Sequence, residues 1–368
     1  MSSVIDVNAH LHTPYSFSAF TDVKQALDMA AAEGVGVVGI NDFYSLDGYK
    51  EWSEECGKRR LFPLFNIEFI SLNSEDQANG VRVNDPNNPG RTYLSGKGLA
   101  YPVILKGREA RMLEQVKAES NAQVEKMCAK LNSHLDSVKA GFNLDFKQIE
   151  RELTRGSIRE RHLAKALRLA VDSRSGSDGD RLAMYERIFG GVPLKSSPED
   201  AAAVENEIRS RLLKAGGAAF IPEDPKAFLP METVQAIIEA AGGIPTYPFL
   251  ADDAKGCFTD FEEDLMKAAD TLRKRGIRSV EFITTRNTTA VLEQYSSYLR
   301  DEGFTVTFGS EHNTPALEPV LLRTRDHDGL SEKLREINYN GACAVAAHQA
   351  GLGSVDEGDE LIRKTIGK

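Results

Sequence analysis

GVGVVGI, at residues 34–40, is an unbroken apolar run that ends at the polar pair Asn41-Asp42. A short run of this composition is typical of a buried strand. The stretch before it, TDVKQALDMAAAEG at residues 21–34, has helical spacing, a capping Thr or Asp at its start and Gly34 at its end. A helix followed by a buried strand predicts a parallel α/β fold.

The same alternation extends in both directions from this strand. Upstream, an apolar run from Val4 to Val7 leads to two histidines, and downstream lies LFPLFNIEFI at residues 61–70. Three more helix–strand pairs follow later: METVQAIIEAAG with GIPTYPF, DFEEDLMKAADTLRKRG with SVEFITT, and TTAVLEQYSSYLRDEG with FTVTFGS. Together these segments supply about six or seven strands, which predicts one barrel-like sheet.

Two segments interrupt this pattern. Residues 72–100 include NDPNNPGRTYLSGKG and predict a long irregular loop, because Asn, Pro and Gly favour turns. Residues 107–216 have helical spacing and charge and contain no strand-like run. We therefore expect a barrel built from residues 1–106 and 217–368, interrupted by a helical insertion or cap at 107–216.

Composition limits the classes of function. The chain has 368 residues, of which 41% are hydrophobic and 27% charged, as in soluble globular proteins. Its net charge of −10 argues against a nucleic-acid-binding surface but leaves room for a local basic pocket that binds a small anion. No signal peptide or membrane span is evident, and the four cysteines lack CxxC spacing. We expect a cytoplasmic protein with no membrane partner; the sequence gives no oligomeric state.

A His-x-His pair and a buried acid indicate a metal site. His10 and His12 follow the first predicted strand, where residues two apart point to the same side. Imidazole is a common ligand of Zn, Mn and Fe, and Glu68 lies in a later apolar strand where an unpaired carboxylate would be costly. The alternatives are unrelated loop histidines and a salt bridge for Glu68. Three interpretations of Asp42 are open: a metal ligand, a hydrogen-bond partner of a ligating histidine, or the cap of the next helix. We favour the last two.

Other polar residues also follow predicted strands. Tyr247 and the pair Glu311-His312 each stand near the end of an apolar run. In α/β barrels the active site forms at the carboxyl ends of the strands, so we expect these residues near the histidines.

These residues lie in segments that resemble the PHP (polymerase and histidinol phosphatase) family of metal-dependent phosphoesterases. VNAHLHTPYS is similar to the first motif of that family. Four further segments stand in the family's order: GINDFYSLDG, NIEFI, GGIPTYP and FGSEHNTP. The resemblance implies a distorted (β/α)7 barrel with a helical insertion.

The resemblance also implies a ligand set, with departures. His10, His12, Glu68 and Glu311 would share one metal, whereas family members usually bind up to three. The other ligand positions hold residues with no donor or a poor one, namely Phe17, Phe43, Tyr247 and Asn313. We therefore expect one divalent Zn, Mn or Fe ion. Asn8 and Asp42 are expected to support its ligands.

Basic residues at two places are candidates for binding a phosphate. Arg91 and Lys97 lie in the predicted loop, where glycines also free backbone N–H groups. Arg159 and Arg161 lie in SIRERHLAKAL, which resembles a helix that faces the substrate phosphate in the insertion of small-molecule PHP phosphatases. The alternative for these residues is a solvated basic surface. The candidate catalytic residues are His312, His162 and Tyr247. His312 is a substitute ligand or a general acid, and Tyr247 is a proton donor to a leaving group or a packing residue.

The function that this resemblance implies is hydrolysis of a small phosphorylated molecule by a metal-bound hydroxide, with the helical segment capping the substrate. One alternative is a catalytically degenerate PHP barrel that binds a ligand or a partner. A second alternative is an amidohydrolase-type enzyme, since those barrels also begin with His-x-His.

Overall fold

The computed structural model describes residues 4–222, 225–253 and 255–368, and within them one sheet curls into a nearly closed barrel. The strands follow the order β1-β2-β3-β4-β6-β7-β8, and the two-residue β5 pairs with β3. The strand bounds are β1 Asp6–Leu11, β2 Val35–Phe43, β3 Phe62–Leu72, β4 Arg91–Lys97, β5 Leu229–Pro230, β6 Ile244–Phe249, β7 Ser279–Ile283 and β8 Thr305–Gly309. The predicted α/β barrel is confirmed.

Helices surround the sheet and fill the segment between β4 and β5. Their bounds are α1 Val23–Ala32, α2 Tyr49–Arg59, α3 Ser74–Ala78, α4 Gly107–Ser137, α5 Phe146–Leu153, α6 Glu160–Asp172, α7 Asp178–Ile188, α8 Ala201–Ile208, α9 Met231–Ala240, α10 Leu265–Lys274, α11 Thr289–Asp301, α12 Glu332–Gln349 and α13 Val355–Ile366. A π-helical turn at Arg209–Leu213 continues α8. Among the described residues, no helix is both long and apolar enough to cross a membrane.

The predicted irregular loop at 72–100 is wrong in two places, because residues 74–78 form α3 and residues 91–97 form β4. β4 occupies residues 91–97 and runs antiparallel to both β3 and β6, in a sheet that is otherwise parallel. This strand is not recognisable from the sequence, because its buried residues include the small or polar Ser95, Gly96 and Lys97. Their polar groups find partners inside the barrel, so the usual apolar pattern of a buried strand is missing.

The two ends of the sheet approach each other at the carboxyl ends of β1 and β8. Leu11 forms a parallel bridge with Glu311, and a Cβ at Gly309 would overlap the side chain of His10. The absence of a side chain at Gly309 therefore allows β8 to approach β1 closely. This contact brings the segment after β8 beside the two histidines.

The apolar cores account for the arrangement of the helices. One large cluster fills the space between the sheet and its surrounding helices, and a second lies among α4–α8 and the π-helical turn. α4 contributes to both, since Leu113 and Val116 pack in the first cluster while Met127 and Leu131 pack in the second. The assignment of residues 107–216 as a separate insertion domain stays a prediction.

Gly341 allows α12 to lie directly on the sheet. A Cβ at this position would overlap the carbonyl oxygen of Val306 in β8, which is rigid backbone. We expect Gly341→Ala to lower the free energy of unfolding by about 2 kcal/mol or more, because the helix must move away. Urea denaturation measures the change, with Asn340→Ala at the exposed neighbouring position as a control. Equal stability of the two variants would contradict this packing.

Candidate metal centre

Three side-chain donors converge at the carboxyl ends of β1 and β3. Nε2 of His10 lies 3.3 Å from Nε2 of His12, and Oε2 of Glu68 lies 3.6 Å and 3.0 Å from these two atoms. All three side chains are buried. His10 lies in β1 and His12 directly follows this strand, and residues two apart on an extended chain point to the same side. The structure thus brings together three of the four residues that were predicted to be metal ligands.

Each imidazole is oriented through its other ring nitrogen. Nδ1 of His10 lies 2.9 Å from Oε2 of Glu281, and Nδ1 of His12 lies 3.2 Å from Oγ of Ser16. The Ser16 hydroxyl donates to Asp42 at 2.6 Å, so the second chain also ends at a carboxylate. With Nδ1 as the donor in both rings, Nε2 of each ring is the atom that would bind a cation shared with Glu68. Metal-binding histidines are commonly held in this way.

The donor set fits one divalent cation. Oε2 of Glu68 is buried, and the two imidazole nitrogens are the groups that face it, an arrangement that suits a cation held between the three side chains. Donors around a tetrahedral ion with bonds of about 2.0–2.1 Å lie roughly 3.3 Å apart. The observed separations of 3.0, 3.3 and 3.6 Å bracket that value.

Buried charges set the protonation of the ion-free site. Burial disfavours a charged His10, but Glu281 outweighs burial and the nearby Lys97, and it raises the pKa of His10 to about 9. Burial likewise disfavours an ionised Glu68, but hydrogen bonds and charge from the two histidines lower its pKa to about 2. Without a metal, a proton on His10 therefore partly compensates the acidic charge. A cation must displace this proton when it binds.

A buried ion pair that the sequence analysis missed lies under His10. Oε2 of Glu281 is 2.6 Å from Nζ of Lys97, and both side chains are fully buried. The Ser95 hydroxyl donates to the other oxygen of Glu281. Glu281 had a signal in the sequence, because SVEFI places a carboxylate inside an apolar strand just as NIEFI does for Glu68. Lys97 had none, because its strand was predicted to be a loop.

The residues expected to support the ligands act on different parts of the site. Asp42 accepts hydrogen bonds from the backbone N–H of Thr13 at 2.7 Å and from Ser16, so it fixes the segment after His12. The side chain of Asn8 donates to Ser310 and to the carbonyl of Val320, at 2.7 and 2.8 Å. Asp42 therefore acts on an imidazole through one hydroxyl, whereas Asn8 ties β1 to the segment after β8.

Glu311 lies beside the three donors without joining them. Its backbone N–H donates to the carbonyl of His10 at 3.0 Å, and its carbonyl accepts from the backbone N–H of His12 at 2.7 Å. Its carboxylate instead lies 2.6 Å from the guanidinium of Arg286. The backbone of Glu311 is left-handed, with φ of 63°, which strand periodicity does not anticipate. Its role as a fourth ligand stays a prediction.

The three candidate catalytic residues have structural partners. His312 lies 2.8 Å from both Ser310 Oγ and the carbonyl of Glu318, and burial lowers its pKa. Nδ1 of His162 accepts from the backbone N–H of Arg159, the residue before α6, and burial lowers the pKa of His162 to about 3. The Tyr247 hydroxyl donates to the buried Glu262 at 2.7 Å. None of these three side chains lines the cavity described next, and their catalytic roles stay predictions.

A cavity of about 390 Å³ lies between the barrel and the helical segment, and Glu68 is the one of the three donors that lines it. Its lining includes Glu68 and Glu311 together with basic residues from both sides, namely Arg91, Arg159, Arg161, Arg209, Lys214 and Arg286. Three of the predicted phosphate-binding residues are in this list. Lys97 is not, because it is buried with Glu281, and the expectation that it lies on a loop open to substrate is corrected.

Aromatic rings form part of the cavity wall. The Phe43 ring stacks on His12 with centroids 5.0 Å apart, and the guanidinium of Arg159 lies 4.7 Å from the centre of the Phe43 ring. The guanidinium of Arg161 lies 5.6 Å from the centre of the Phe17 ring. The rings therefore hold cationic groups near the three donors.

Solved structures share this fold. An amidohydrolase from Chromobacterium violaceum, solved with sulfate and no metal, matches with a TM-score of 0.59 and 16% identity, covering 90% of this chain and 95% of that one. A candidate metal-dependent phosphoesterase from Bifidobacterium adolescentis matches with a TM-score of 0.56 and 16% identity, covering 91% of this chain and 96% of that one. No protein-family model and no curated protein sequence matches the chain. At this identity the comparison shows a common fold.

Proposed function

We propose that this protein is a metal-dependent hydrolase that cleaves a phosphate ester of a small molecule, and that it is a diverged member of the PHP family. The observation that carries the proposal is the convergence of three donors, His10, His12 and Glu68, of which Glu68 lines a cavity that guanidinium groups also line. The phosphoesterase among the structures that share the fold supports it. We propose Zn, Mn or Fe as the ion.

One set of residues would bind the metal ion, and a second set would bind the phosphate group of the substrate. A divalent ion lowers the pKa of bound water and polarises a phosphoryl oxygen. The ring nitrogens of His10 and His12 and the carboxylate of Glu68 would hold this ion. Arg159 and Arg161 would bind the phosphoryl oxygens, where charge develops during transfer.

The aromatic residues limit the number of ions. Phe43 packs on His12 and offers no donor atom, and Phe17 lies against His162 at 5.0 Å between ring centres. Further ions would have no ligand at these two positions. Stabilisation of the transferring group would then depend on arginines, which carry a fixed positive charge.

We expect purified protein supplied with Mn²⁺, Zn²⁺ or Fe²⁺ to release inorganic phosphate from some of a panel of small phosphate monoesters, and to stop when a chelator is added. A parallel panel of amides and lactams distinguishes the amidohydrolase alternative, which the Chromobacterium violaceum structure favours. Amide cleavage without phosphate release would replace the proposed function with that alternative. An ion that binds without turnover in either panel would indicate a binding module.

A further inference from the structure

Arg286 lies at the mouth of the cavity. It ends the 3-10 turn Thr284–Arg286 that follows β7, the strand whose Glu281 orients His10. Its guanidinium is 2.6 Å from Oε2 of Glu311, and its side chain is 43% exposed, compared with 11% for Glu311. β7 thus supplies the carboxylate that contacts His10, and the turn after β7 supplies the cation that contacts Glu311.

The carboxylate of Glu311 is positioned to leave its ion pair with Arg286 and to bind a divalent ion instead. The backbone of Glu311 forms hydrogen bonds with the backbone of His10 and of His12, so the Glu311 side chain begins beside the segment that carries the two imidazoles. It also lines the same cavity as Glu68. Three protein donors leave a divalent ion with an open position, which a nearby carboxylate can fill. A rotation of the Glu311 side chain away from Arg286 would serve this purpose.

We propose that Arg286 is an anion-binding residue that Glu311 holds until the metal site is filled, and that it then binds the anionic group of the substrate. The inference rests on the proposed function and adds a residue to it. Metal binding must first break the Arg286–Glu311 ion pair, so the presence of this pair lowers the affinity for the metal. Once the pair is broken, the freed guanidinium raises the affinity for an anion. Linkage requires that each ligand favour the other to the same degree.

Two equilibrium titrations of the whole protein test this proposal, with Mn²⁺ alone and then with inorganic phosphate on the Mn²⁺-loaded protein. We expect Arg286→Gln to bind Mn²⁺ about threefold to fivefold more tightly, the range expected for an exposed ion pair. We expect it to bind phosphate at least about tenfold more weakly, because a charge-assisted contact is lost. Arg300→Gln is the matched control, since that arginine is equally exposed and pairs with Asp301 on α11.

A Glu311→Gln variant completes the test. It should bind Mn²⁺ more weakly, and adding Arg286→Gln to it should then leave Mn²⁺ affinity unchanged, because the competing ion pair is already absent. The inference is overturned if Arg286→Gln behaves like Arg300→Gln in either titration, or if the wild-type protein binds no Mn²⁺. A protein that shows both titration effects without cleaving any phosphate ester would contradict the proposed function alone.

Discussion

Replacing Lys97 with Met should lower the free energy of unfolding by about 3–5 kcal/mol, the usual cost of removing one partner from a buried ion pair. The ammonium of Lys97 lies 2.6 Å from Glu281 and 3.0 Å from the carbonyl oxygen of Ala9, with no exposure to solvent. Met fills a similar volume but leaves the carboxylate of Glu281 without its nearest cation. Urea denaturation of the metal-free protein measures the loss.

A second substitution distinguishes charge from packing. Adding Glu281→Gln to Lys97→Met should restore most of the lost stability, because a neutral amide then replaces the buried carboxylate that had lost Lys97. Lys58→Met is the matched control: its ammonium lies 2.6 Å from Glu55, but the side chain is 64% exposed, so a change within about 0.5 kcal/mol is expected. A double variant no more stable than Lys97→Met would show that packing, not charge, causes the loss.

The Lys97–Glu281 ion pair also predicts how the stability lost in Lys97→Met depends on pH. Burial disfavours an ionised Glu281, but Lys97 and His10 outweigh burial and hold its pKa well below the ordinary range. In the wild type, the carboxylate therefore contributes stability above its unfolded pKa, and that contribution is lost only as the pH falls through the lower folded pKa. In Lys97→Met the carboxyl can take up a proton instead. The stability difference should therefore shrink as the pH falls toward about 4.

The parts of the fold that could be predicted from sequence are those where one periodicity dominates. β2 and β3 are apolar runs, and the helix before β2 has a capping Asp22 that accepts from the backbone N–H of Gln25. β4 could not be predicted, because its buried polar residues pair with partners far along the chain. A strand that satisfies its polar groups through Glu281 looks like a loop when read alone.

The residues of the candidate site also fall into those that could be predicted from the sequence and those that could not. His10, His12 and Glu68 were predictable because each one breaks or ends an apolar run, where an unpaired polar group is costly. Arg286 was not predictable, since it follows β7 in a stretch of polar residues without a pattern. The local backbone also mattered: His312 has φ of 58° and turns to the carbonyl of Glu318, an orientation that strand alternation alone does not give.

The second large effect concerns the two imidazoles. The double variant His10→Ala with His12→Ala should still fold, with lower stability because Glu281 and Glu68 lose their imidazole partners. It should lose any phosphate release and contain no stoichiometric Mn²⁺, Zn²⁺ or Fe²⁺. It removes two of the three converging donors, and the remaining Glu68 alone is a weak ligand. Metal content after dialysis and phosphate release are the two measurements. The exposed His327, replaced by Ala, is the matched control.

Protons provide an independent check on which residues hold the ion. Because Glu281 raises the pKa of His10 to about 9, ion binding near neutral pH must release a proton from this imidazole. The apparent affinity of the wild type should therefore rise about tenfold per pH unit as the pH increases toward 9. Calorimetric titrations in buffers of different ionisation enthalpy count the proton released. An affinity that is independent of pH, or a double variant that still binds one ion and turns over substrate, would place the metal site elsewhere in the chain.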